Sequence, residues 1–432
     1  MYPRSPALLA AFYHRQLQQD LIPFWDKAWD SEVGGVFTCF CNDGSRLLST
    51  DKYVWSQGRF LWLLSHRMAM VDHGLLDGPR DALLEQARLT CGFLLQHALL
   101  DPPAAGCAFL LSREGEKKES IPGKGFHTSF YADCFVILGL AEYARVTGLS
   151  APLEHAFALY RRTIADIEAG CVVSEPYPIP PRCISQSVPM ILCDVSYGLA
   201  QACVALSDQR QMESLAESLG FARTILSVHY DQEQGLLHEI VPLDERDMDT
   251  LVARHVNPGH AIESMWFCGR TVAAAEAAGL LSAQEMEELG FRAARVVERS
   301  IAIGWDPEYG GLLRFCDREG GSPQGRLLDC PYERQLVDTW DAKLWWVHSE
   351  ALYSTLFYYS STGDSRFWNI HQLVADYIFS TFPNTDRQIG EWVQIRDRQG
   401  LPIERVMALP VKDPYHIMRD FLLILELLCT DR

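Results

Sequence analysis

A glycine turn recurs along this chain, and its spacing limits the folds open to the sequence. The fullest copies are Trp29-Asp30-Ser31-Glu32-Val33-Gly34-Gly35-Val36-Phe37 and Trp305-Asp306-Pro307-Glu308-Tyr309-Gly310-Gly311-Leu312-Leu313. Shorter copies lie at Tyr230–Leu237, Ala105–Phe109 and Gly390–Val393, with a degenerate one at Gly170. The marker glycines fall at 35, 106, 170, 235, 311 and 390, separated by 71, 64, 65, 76 and 79 residues. An interval of about 70 residues holds two helices of ordinary length and their connections. Between markers, apolar residues stand at helical spacing, as in Phe60, Leu63, Leu64 and Met68, or Cys134, Phe135, Leu138 and Ala141. Six helical hairpins, each with a short β-hairpin-like turn at one end, predict an all-α chain closed into an (α/α)6 barrel. An open helical array without a mouth is the alternative. A closed ring has no internal linker, so residues 1–432 are expected to form a single domain. Asp317–Thr339, rich in Gly, Pro, Arg and Asp, is expected as a long loop over the mouth, and Pro176–Pro181 as a second loop.

Charge narrows the partners. With 56 acidic against 38 basic residues, a net charge of −18 and no basic cluster, nucleic acid and anionic membrane are not expected partners. The 13 cysteines show no paired spacing, which fits a reducing compartment. The apolar run Ala7–Phe12 is too short for a signal sequence, and no later run is read as 18 apolar residues, so a cytoplasmic protein is expected.

Two stretches place a histidine in the first turn of a helix. In Asn257-Pro258-Gly259-His260, Asn is an N-cap and Pro favours the first helical position, which puts His260 at N3 with Glu263 one turn on. Asp413-Pro414-Tyr415-His416 repeats the device, with Arg419 as the partner one turn on. Glu263 would favour a protonated His260, and Arg419 with the helix dipole a neutral His416. Groups pushed apart in this way suit acid and base roles. Ordinary first-turn histidines in two separate capping turns are the plainer alternative.

Further candidates surround these. Trp55-Ser56-Gln57-Gly58-Arg59 sets a guanidinium beside aromatic faces, the surface a sugar or an oxyanion needs, although Arg59 could equally serve an interior ion pair. Trp346 and Glu350 share a helix face with Lys343 and read as a pocket wall, with His348 off that face. Asp194 stands in an apolar run as a partner for an arginine or as a cap. No His-Glu-x-x-His, paired-cysteine, calcium-loop, P-loop, dinucleotide or Gly-x-Ser-x-Gly pattern occurs, so no metal site is expected.

Lys52–Arg59, Ser129–Phe135, Asn257–Trp266, Lys343–Leu352 and Tyr415–Arg419 resemble, in order and separation, motifs of the N-acylglucosamine 2-epimerase (renin-binding protein) family. The likeness runs from about Phe24 onward. It implies an (α/α)6 barrel in which two histidines flank a sugar as acid and base, and these match His260 and His416. The family's pocket arginines match Arg59 and Arg419, and its pocket glutamates match Glu263 and Glu350. A homodimer with ATP as an effector is also implied, while no metal or redox cofactor is required. The chain departs from the family pattern at Asp317–Thr339 and Val411–Pro414. The reaction expected is interconversion of N-acetyl-D-glucosamine and N-acetyl-D-mannosamine by proton transfer at C2 through an enediolate. The rivals are epimerisation or aldose–ketose isomerisation of unsubstituted sugars such as mannose, glucose or cellobiose, a glycosidase, and a non-catalytic partner-binding protein.

Overall fold

A computed structural model describes residues 2–101, 106–176 and 178–430; Ala105 of one marker, Tyr177 of the Pro-rich loop and the outermost residues of 1–432 lie outside them. Six helices among the described residues form an inner ring: Val54–Asp72, Phe130–Thr147, Ser187–Leu206, Pro258–Ala277, Trp345–Thr362 and Tyr415–Thr430. Each packs on the next and the sixth returns to the first, which closes the barrel. The outer layer is the helical run from Pro6–Arg15 to Ile22–Lys27, followed by Arg80–Phe93, Ser150–Glu168, Gln211–Val228, Ala283–Gly304 and Ser365–Thr381. Each outer element packs on an inner one.

The two layers have different compositions because they have different surroundings. In the outer Ala283–Gly304, one stripe is buried, through Leu289, Ala293, Val296, Val297 and Ile301. In the inner Val54–Asp72, every residue from Ser56 to Met70 is buried. An inner helix is therefore buried nearly all round, and Ser187–Leu206 is by length and composition apolar enough to cross a membrane. It is still not an unbroken run of 18 apolar residues, since Asp194, Ser196, Gly198 and Gln201 interrupt it. The first and second inner helices cross in close contact. A Cβ on Gly58 would fall 2.4 Å from the Phe135 backbone, and one on Gly139 2.4 Å from the Gly58 carbonyl. This contact fixes the height of Arg59 in the ring.

The two fullest markers are built alike. Trp29 bridges Val36, and Trp305 bridges Leu312, across turns whose second glycines have φ of +84° and +76°. Under the first, buried Lys52 Nζ donates to Asp30 (3.0 Å) and to the Gly34 carbonyl (2.8 Å), and Arg113 Nε donates to Asp30 (2.9 Å). Under the other, buried Lys343 lies 3.4 Å from Asp306 and donates to the Gly310 carbonyl, while Arg398 Nε donates to Asp306 (2.9 Å). Gln57 Oε1 accepts from Val36 N at 2.7 Å, as His348 Nε2 accepts from Leu312 N at 2.9 Å. Each clasp ties a turn to the start of an inner helix, and those starts carry Trp55 and Arg59, and Trp346 and Glu350. Lys343 thus leaves the face it was expected to share with Trp346.

Asp317–Thr339 is not a loop throughout. Pro331–Thr339 is a helix, begun by Pro331 and by Glu333, whose carboxylate accepts from Leu328 N (2.7 Å) and Cys330 N (3.2 Å). Its Tyr332 and Leu336 pack on Leu251, Val252 and Phe315, a second small core at the mouth.

Candidate active site

The N-terminal ends of the inner helices converge on one cavity. Arg59, Phe135, Asp194, His260, Trp346 and His416 reach it, one from each inner helix in turn. Connecting segments complete the wall with Glu239, Arg314, Tyr332 and Met407.

His260 stands as expected. Asn257 caps Pro258–Ala277, its Oδ1 accepting from His260 N at 3.3 Å. The Tyr415–Thr430 helix begins one residue later than the sequence reading has it, so His416 is at the second helical position rather than the third. Asp413 still acts at this helix start, accepting from Tyr415 N at 2.7 Å through Oδ1, while its Oδ2 takes Arg59 Nη1 at 2.5 Å. The Arg59 guanidinium lies over Phe135, Trp55 and Tyr415, at 3.9, 4.7 and 5.1 Å from their ring centres. It is both an ion-pair member and a cavity wall, so the two readings of Arg59 coexist.

Trp346 lies beside both histidines. Its ring centre is 5.5 Å from that of His260 and 5.6 Å from that of His416. Gly259 permits this, because a Cβ there would meet the indole at 2.4 Å. Each imidazole has its own carboxylate: His260 Nδ1 pairs with Glu239 at 2.9 Å, and His416 Nδ1 with Glu350 at 2.7 Å. With Nδ1–H given to a carboxylate, Nε2 is the nitrogen left for chemistry.

Their charge states are pushed apart. Burial pulls His260 down, but the Glu239 carboxylate, with Glu263 nearby, more than offsets this and holds it above its ordinary value. Burial, with Arg59 and Arg419 close by, lowers His416 to about 3, although Glu263 and Asp413 pull the other way. The directions agree with the sequence reading, but the main partner of His260 does not. Glu263 turns instead to Arg419, accepting from Nη2 at 2.7 Å, because a buried guanidinium needs a counter-charge.

Behind His416, Arg419 donates to both Glu263 and Glu350, and Trp266 Nε1 donates to Glu350 at 2.8 Å. Glu263, Glu350 and His416 present ligand-type atoms within 4.8 Å of one another. The Arg419 guanidinium, always charged, fills the cation position between the two carboxylates, so this donor set does not suit a metal ion.

His348 is remote from this chemistry, its Nδ1 donating to the Leu344 carbonyl at 2.7 Å. Asp194 is the partner of Arg270, whose guanidinium lies 4.6 Å from the Trp266 ring. The sequence reading missed Glu239 and Arg314 and took Asp413 only as a cap. A signal existed for Glu239, an acid that with His238 interrupts the apolar Leu236-Leu237-His238-Glu239-Ile240-Val241.

The model of one family, N-acylglucosamine 2-epimerase (GlcNAc 2-epimerase), matches residues 35–419. The chain belongs to the N-acylglucosamine 2-epimerase family. It is thus a carbohydrate epimerase, an enzyme of the isomerase class. It is 31% identical to the N-acylglucosamine 2-epimerase of Bos taurus, over 94% of this chain and 88% of that one. A solved cellobiose 2-epimerase from Bacillus thermoamylovorans shares the fold with a TM-score of 0.72 at 18% identity, covering 97% of this chain and 99% of that one. A solved D-mannose isomerase does so with a TM-score of 0.71 at 17% identity, covering 99% and 100%. In this N-acylglucosamine 2-epimerase family member, the matched region includes Arg59, Glu239, His260, Glu263, Trp346, Glu350, His416 and Arg419.

Proposed function

We propose that the chain interconverts N-acetyl-D-glucosamine and N-acetyl-D-mannosamine, with His260 and His416 as the two proton-transfer groups. The observation that carries this reading is a pair of imidazoles beside Trp346, one pushed above and one below the ordinary imidazole value. In the open-chain sugar, His416 Nε2 takes the C2 proton and the C–H electrons form a C1=C2 double bond, leaving an oxyanion at O1. His260 delivers a proton to the opposite face of C2, the C1 carbonyl re-forms, and C2 is inverted. The other epimer runs the same steps in reverse. Arg59 or Arg419 stabilises the O1 charge as a fixed donor, and Trp346 forms the wall against which the sugar lies.

The test is incubation with N-acetylmannosamine, mannose, glucose and cellobiose in D2O, followed at C1 and C2 by NMR. Deuterium entering C2 of N-acetylglucosamine, with no ketose formed, is the expected result. Turnover of unsubstituted sugars alone, or fructose accumulating from mannose, would replace this reading with the isomerase one. No turnover of any of these sugars would overturn the substrate assignment.

Two consequences are measurable on the same assay. Arg59→Lys is expected to lose at least about tenfold in kcat/KM although charge is kept, because an ammonium cannot both reach Asp413 and lie flat on three aromatic faces. Unchanged kinetics would make Arg59 purely structural. The pH profile should be a plateau on which the histidine pair carries one proton. Its acidic limb lies below the ordinary imidazole value of about 6.5, where His416 protonates, and its basic limb above it, where His260 loses its proton. An acidic limb at or above that value would contradict the assignment.

The same reading takes residues 1–432 as one domain, supported by the closed ring, and the protein as cytoplasmic, supported by 13 free thiols. A homodimer is proposed from the family resemblance, and light scattering on the eluted protein tests it.

A further inference from the structure

Asp420 follows Arg419 on the sixth inner helix, is fully buried, and stands outside the set of residues lining the cavity. Three carboxyls, Glu263, Glu350 and Asp420, surround one guanidinium. Arg419 Nη2 serves the first two, while its Nε stands 3.5 Å from Asp420 Oδ1, longer than the usual range of about 2.7–3.2 Å. Neither Asp420 oxygen receives a hydrogen bond.

Ser349 gives its hydroxyl proton to the Trp346 carbonyl at 3.2 Å, and beside Asp420 it only partly offsets what burial does to that carboxyl. Glu350 is also within hydrogen-bonding reach. A carboxylate has about four lone-pair sites. In Glu350, Oε1 takes His416 and Arg419 and Oε2 takes Trp266, which leaves one site open. The other titratable groups facing Asp420 are Glu263 on the fourth inner helix, Tyr353 on the fifth and Tyr13 on the outer layer, none of them a cation. Burial, with the Glu350 charge beside it, holds the Asp420 carboxyl well above the usual carboxylate range.

We propose that Asp420 is a positioning residue that keeps its proton, donates it to the open site on Glu350, and so weakens Glu350 as the acceptor of His416 Nδ1–H. The weaker acceptor keeps His416 neutral and ready to take a proton. The proposal rests on the reading of His416 as a proton-transfer group.

The experiment combines infrared spectroscopy with pH profiles on the full chain and two variants. Asp420→Asn keeps the shape and a donor, and Asp420→Leu removes the donor. At neutral pH the unaltered protein should show the C=O stretch of a protonated buried carboxyl, which shifts in D2O and is lost in Asp420→Asn. The acidic limb of kcat/KM should stay in place in Asp420→Asn and move up by about one pH unit in Asp420→Leu, as the freed Glu350 charge makes His416 more basic. A stretch that survives in Asp420→Asn, or a limb that moves in Asp420→Asn, overturns the proposal. These two readings decide the matter even if Asp420→Leu does not fold. If no sugar turns over while the stretch still disappears in Asp420→Asn, the proton-holding carboxyl stands and the functional reading falls.

Discussion

His416→Asn and His260→Asn are each expected to lower epimerisation by at least about 100-fold, the range for removal of a positioned acid or base. Near wild-type turnover in either variant would end the two-histidine assignment. Their exchange behaviour should also differ. In His260→Asn, His416 still removes the C2 proton from one epimer and returns it to the same face, so D2O should label that substrate without inverting it. His416→Asn should label the opposite epimer instead. Labelling of the same epimer by both variants would mean that one group serves both faces. Both chains should keep their helical circular dichroism, because Asn can donate to Glu239 or Glu350 as the Nδ1–H of each ring does.

The largest effect on stability is expected from Arg419→Met. Arg419 is 2% exposed and is the cation shared by Glu263 and Glu350. Without it, two buried carboxylates lose their counter-charge, a change that costs about 3–5 kcal/mol when one partner of a buried pair is removed. Urea denaturation at neutral pH measures this. The sign of the pH dependence follows from the carboxyls. In the variant burial of the unpaired charges favours protonation in the folded chain more than in the unfolded one, so the deficit is full at neutral pH and shrinks as pH falls and the carboxyls protonate. A deficit that is small or independent of pH would show that the guanidinium does not neutralise the pair. Arg419→Lys should fall between, since a single ammonium cannot serve both carboxylates through a planar fork.

Much of this protein is legible in short stretches of its sequence. The marker glycines announce the turns because the second glycine of each full marker needs a left-handed backbone, and their intervals announce two helices per unit. Asn257-Pro258 and Asp413-Pro414 announce the starts of the two histidine helices, one of them to within a residue, because caps act on backbone groups two or three residues away. Pro331 with Glu333 carried the same kind of signal. The residues before it, rich in glycine and proline, mask that signal.

The partners of the charged groups were not legible. Glu239 meets His260 across 21 residues, Asp413 meets Arg59 across 354, and Glu263 passes over its helix neighbour for Arg419 across 156. Lys343 looked like a member of the Trp346 face and is drawn off to Asp306. By itself the sequence determined the elements, their number and the residue types at their ends, because helix period, turn conformation and capping are set by neighbours in the chain. Only the closed ring decided which acid holds which base. Closing it removes water from all these groups at once, and each buried charge then takes whichever opposite charge the barrel brings nearest, whatever its distance along the chain.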